Sequence, residues 1–104
     1  MSIELKARGD RVGMHRSSWN AVQDIARAFG WVPNYEKDDG GVQGYDLYVP
    51  EHNARALAIA LYSAIRDIET DRLSELLLEM VKEAGIGNMR EVADLAYLGT
   101  FYVD

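Results

Sequence analysis

His15 and His52 are the only imidazoles in this chain of 104 residues, and each has a neighbour with which it could do chemistry. Ser17 and Ser18 follow His15, and Glu51 precedes His52. A histidine base activates a hydroxyl only through a hydrogen bond in space, with further donors placed for the developing oxyanion. Adjacency in sequence supplies neither, and the chain has no Gly-x-Ser-x-Gly elbow to present a nucleophile. His52 therefore reads as a solvated residue in the first turn of a helix. His15 with Ser17 is kept as an alternative, the lining of a small-ligand pocket or minor active site near the first helix.

The carboxylates Glu36, Asp38, Asp39 and Asp46 crowd around a glycine-rich turn. A calcium loop sets its oxygen ligands at fixed alternating offsets and closes with a bidentate Glu, and that pattern is missing. Gly40-Gly41-x-x-Gly44 and Gly85-x-Gly87 lack the Lys-Ser/Thr pair of a phosphate-binding loop, so they read as turns and caps. The absence of cysteine removes disulfides, thiolate nucleophiles and cysteine-held metals. No catalytic residue, metal or cofactor is expected.

The remaining chemistry is recognition. Glu75, Glu79 and Glu83 recur every four residues, with Asp71 continuing the line. On a helix they form one acidic stripe that can imitate phosphates, at a cost of about a few tenths of a kcal/mol per like-charge pair. Arg72 and Lys82 interrupt the field, so a plain solvated face is the competing reading. Trp31, Tyr35, Tyr45 and Tyr48 are candidate interface aromatics, since Trp and Tyr dominate binding hot spots. Each can equally pack into the core, and Trp19 is read as core outright.

Charge is distributed unevenly. Residues 1–33 carry five basic and three acidic side chains, and residues 34–104 carry six and fourteen, within a net charge of −6. Such a surface repels phosphate backbones and attracts basic proteins, so direct nucleic-acid binding is not expected. The start, Met-Ser-Ile-Glu-Leu-Lys, lacks the apolar run of a signal peptide. The longest mostly apolar stretch, Ala56 to Ala64, is about half the length of a membrane span. No membrane association and a cytoplasmic location are the expectations.

The elements that must position these residues follow from periodicity. Residues 1–104 form one compact domain in this reading. Ile3, Leu5 and Ala7 alternate with Glu4 and Lys6 as in a half-buried strand, and Gly9, Asp10 and Gly13 read as a turn. Ser17 or Ser18 caps a helix carrying Trp19, Val22, Ile25, Ala26 and Phe29, which ends at Gly30. Asp38-Asp39-Gly40-Gly41 turns a loose hairpin between Tyr35 and the stretch Tyr45 to Val49. Pro50 is the expected first residue of a second helix with an Ala54 to Ile68 stripe, and Ile59 and Tyr62 await cover on its other side.

Thr70 or Asp71 starts a leucine-rich third helix closed by Gly85, and Asn88 with Glu91 caps a fourth that ends at Gly99. Phe101, Tyr102 and Val103 form a last strand that pairs with the first. The expected fold class is α+β, mainly helical, with about four helices. Its small antiparallel sheet comes from the N-terminal strand, the hairpin and the C-terminal strand.

Several of these pieces together resemble a group of small bacterial proteins with no known activity. They are His15-x-Ser17-x-Trp19, Phe29-Gly30-Trp31-x-Pro33, Ala54-x-x-Leu57-Ala58-x-Ala60-Leu61, and Leu95 through Gly99 to Phe101 and Val103. Arg16 replaces an expected aromatic residue, and the stretch Tyr45 to Val49 is shorter than the Asn-Gly loop of that group. The resemblance implies a compact α and β domain and no reaction. Small size, acidity and the missing chemistry make the expected function a non-catalytic protein-binding module, such as an acidic inhibitor or immunity-type protein of bacterial or phage origin. Its partner would be basic or nucleic-acid-handling, and homodimerisation through the third helix or through Ile59 and Tyr62 is a further reading.

Overall fold

A computed structural model describes residues 2–37 and 47–104. The described residues form an α+β fold with four helices and a five-stranded antiparallel sheet. The alternation at the N-terminus forms β1 (Ser2–Ala7), with Ile3, Leu5 and Ala7 buried. The expected turn at Gly9 to Gly13 is instead the tight reversal Arg8-Gly9 followed by β2 (Asp10–His15). Both turn residues have positive φ, 47° and 87°, as a two-residue hairpin turn with the twist of its strands requires. Val12 and Met14 are the buried half of β2.

α1 (Arg16–Ala28) leaves β2 without a break, so His15 occupies its N-cap and neither Ser17 nor Ser18 caps it. Its end is the anticipated glycine stop. Gly30, at φ 98°, donates to the Arg27 carbonyl at 3.1 Å, and Trp31 donates to Ala26 at 3.0 Å, the paired bonds of a Schellman motif. β3 (Glu36–Lys37) and β4 (Leu47–Val49) pair as the arms of the expected hairpin. Its tip, with Asp38-Asp39-Gly40-Gly41 and Tyr45, lies outside the described residues.

α2 (Glu51–Glu69) takes Pro50 as its N-cap, not as its first residue. Asp71 does not start the third helix but ends the second. At φ 55° it donates to Ile68 at 3.1 Å while Arg72 donates to Asp67 at 2.8 Å, a second Schellman motif. α3 (Glu75–Ala84) begins instead at Ser74, whose hydroxyl accepts from the Leu77 N–H at 3.3 Å. α4 (Ile86–Tyr97) follows from Gly85. Asn88 therefore falls inside its first turn and donates to the Ala84 carbonyl at 2.8 Å.

β5 (Phe101–Val103) enters the sheet between β1 and β4, giving the order β2-β1-β5-β4-β3. The pairing of the two terminal strands is thus as expected. The inner face of the sheet contributes Leu5, Val49 and Phe101 to the core, and Phe101 meets Trp19 edge-on at 6.4 Å. Leu57, Leu61, Met89 and Val92 fill the helical side. Ala54, Ala58 and Ala64 on α2 and Ala93 and Ala96 on α4 are fully buried, and these small side chains let α2 run close along α4. Ile59 stays 63% exposed, so among the described residues the expected cover on that side of α2 does not reach it. Tyr62 is partly covered, meeting Tyr97 at 6.4 Å. Among the described residues, no helix is long and apolar enough to cross a membrane.

Candidate protein-binding surface

α3 lies against α1 and is the least buried of the four helices. Only Val81 and Ala84 are buried, Leu77, Leu78 and Met80 are half-buried, and Leu76 is 70% exposed. Burying a leucine stabilises by roughly 1.5–3 kcal/mol, a gain this side chain forgoes in the single chain. Leu76 opens onto a shallow groove of about 680 Å³ shared with Leu78, Val81, Glu75, Glu79 and Lys82. A ten-residue helix with an uncovered leucine beside carboxylates has the make-up of an interface anchor and its polar rim.

The charges around this groove are unequal. The Lys82 ammonium sits 3.2 Å from the Glu79 carboxylate, which partly neutralises the middle of the acidic line. Glu75 and Glu83 are exposed and have no ion pair among the described residues. Glu75 also stands in the first turn, where the positive end of the helix dipole favours a carboxylate. Asp71 precedes the helix in left-handed backbone, so the helical stripe runs from Glu75 to Glu83 and does not extend to it.

The candidate aromatics are not gathered beside these acids. Trp31 is 3% exposed, and its indole N–H donates to both the carbonyl and the Oδ1 of Asn53 at 3.2 and 3.1 Å. Asn53 also donates to the Val32 carbonyl at 2.8 Å and accepts from the Asn34 N–H at 3.1 Å. Trp31 is therefore a packing residue and offers no exposed anchor. Tyr35 is half-buried with its hydroxyl donating to the Gln23 side-chain carbonyl, and burial pushes its phenol up to about 12. Tyr48 stacks against Tyr102 at 5.8 Å on the outer face of the sheet, away from the helices. Tyr45 lies outside the described residues.

His15 and Ser17 are both exposed where β2 passes into α1. Among the described residues the His15 ring has no hydrogen bond or ion pair, and no carboxylate orients it, so the arrangement gives the pocket reading no support. His52 is exposed in the first turn of α2. Sequence reasoning overlooked β2. The signal was there in Arg8-Gly9, a two-residue turn, followed by the alternation of Val12 and Met14 with Arg11, Gly13 and His15.

No family model, curated protein or solved structure matches this chain.

Proposed function

We propose that this chain is a non-catalytic protein-binding module that engages a basic partner through α3. The observation that carries the reading is Leu76, 70% exposed on a groove whose rim holds Glu75 and Glu79. An apolar anchor supplies affinity once water is excluded, and surrounding carboxylates steer a basic surface toward it. The net charge of −6 acts in the same sense at long range. A partner that handles nucleic acid presents the basic groove such a surface complements, which makes this an inhibitor-type or immunity-type module.

The test is a comparison of proteins captured from the native cell by the wild-type chain, by Leu76→Lys and by Ile59→Lys. Ile59 is exposed to a similar extent, 63% against 70%, but lies on α2, so its variant controls for the loss of any surface leucine or isoleucine. A partner retained by Ile59→Lys and lost by Leu76→Lys is the expected result. Equal recovery by all three chains rejects α3 as the binding surface. Light scattering of the purified chain decides whether the partner is a second copy.

A further inference from the structure

β2 ends one side of the sheet, and among the described residues no strand pairs with its outer edge. The Arg8-Gly9 turn determines which backbone groups that edge displays. With Ala7 opposite Asp10 across a two-residue turn, the hydrogen-bonded pairs are Ala7 with Asp10, Leu5 with Val12 and Ile3 with Met14. Glu4 agrees with this phase, since it exchanges bonds of 3.2 and 2.9 Å with Asp104 and so faces away from β2. The N–H and C=O groups of Arg11 and Gly13, and the N–H of His15, therefore point outward. None has a partner among the described residues.

A row of free donors and acceptors on a straight edge is a template for another strand. Its side chains leave the edge accessible. The Arg11 guanidinium is paired with Glu4 at 3.7 Å across the strands, and Gly13 has no side chain. Beside the edge runs a groove of about 480 Å³ between β2 and α4. Val12, Leu95 and Leu98 give it an apolar lining, and the carboxylates of Asp10, Glu91 and Asp94 outnumber its one cation, Arg11, whose guanidinium is already paired with Glu4.

We infer that β2 takes up an extended segment of a partner protein as a sixth strand, with an apolar side chain in the β2–α4 groove and Lys or Arg two residues to either side. Residues two apart share a face of a strand, so such a segment places its cations over Glu91 and Asp94 while its backbone bonds to Arg11 and Gly13. A second copy of β2 is the poorer occupant, because self-pairing sets two of these acidic grooves against each other. This surface belongs to β2 and α4 and stands independently of α3.

The experiment titrates the isotope-labelled full chain with synthetic peptides Thr-Lys-Thr-X-Thr-Lys-Thr, X being Val, Leu or Phe, and follows backbone amide shifts and exchange. At least one peptide is expected to shift Arg11, Gly13, His15, Leu95 and Leu98 and to slow exchange of the Gly13 amide about tenfold or more. Gly13→Pro removes an outward N–H and leaves the β1 ladder intact, and it should weaken binding about tenfold. Glu91→Lys, on an exposed side chain outside the ladder, should weaken it similarly. Peptides that shift none of these amides, or that bind Glu91→Lys unchanged, overturn the inference. So does a dimer of the free chain that Gly13→Pro converts to monomer.

Discussion

Asn53 is the residue that makes Trp31 a core side chain and not a surface anchor. One carboxamide receives the indole N–H and the Asn34 N–H and donates to the Val32 carbonyl, tying the exit of α1 to the start of α2. Asn53→Ala should cost about 0.5–1.5 kcal/mol in a denaturant melt, since the Asn34 N–H and the Val32 carbonyl lose their partner while the indole N–H keeps the backbone carbonyl of residue 53. The choice between anchor and core at Trp31 was not legible in the sequence, because it rests on a partner twenty-two positions away.

Two phenols allow a pH test. Burial pushes Tyr35 up from 10.0 to about 12, and partial desolvation, followed by the Asp94 carboxylate that accepts its bond, does the same for Tyr62. The folded chain thus holds these protons more tightly than the unfolded one. Their contribution to stability is complete below about 10 and falls as the pH rises toward about 12. Denaturant midpoints should drop across that window, and Tyr35→Phe with Tyr62→Phe should flatten the drop.

At the scale of elements, the periodic segments were legible and their ends were not. The stripes at Trp19 to Phe29, Ala54 to Ile68, Leu73 to Ala84 and Met89 to Ala96 all became helices, because burial of one face decides an amphipathic segment. The starts of α1, α3 and α4 moved by a few residues, because only α3 is opened by a side-chain cap and the other helices begin without one. Ser74 was chosen over Thr70 and Asp71 once the second Schellman motif had taken Asp71 at φ 55°. β2 was lost in the reading because Gly9, Asp10 and Gly13 are turn formers, although only Gly9 turns the chain.

The cap at Asp71 gives a prediction. A side chain in left-handed backbone is strained, and glycine relieves that strain at some cost in chain entropy. Asp71→Gly should therefore stabilise by about 0.5–1 kcal/mol in a thermal melt. It should also leave partner binding through α3 unchanged, because Asp71 lies outside the helix.

Over the whole molecule, the α+β class and the pairing of the terminal strands could be read from alternation at both ends of the chain. The sidedness of the candidate residues could not. The sheet places Tyr48 on its outer face, while Glu75, Glu79 and Glu83 lie on α3, which packs against α1. A list of aromatics and acids that looked like one surface thus separates into a buried Trp31, a half-buried Tyr35, a sheet-face Tyr48 and an acidic helix. The part that stays together as a candidate surface is α3, with exposed Leu76 between carboxylates. The most direct measurement is a calorimetric titration of the captured partner against rising salt, for the wild-type chain and for Glu75→Gln/Glu79→Gln/Glu83→Gln. Relief of the repulsion at four-residue spacing keeps the variant folded, which a thermal melt verifies. A steep loss of wild-type affinity with salt, and weaker binding with a shallower slope in the variant, is the predicted result. Equal affinity and equal slope in the two chains would contradict the account.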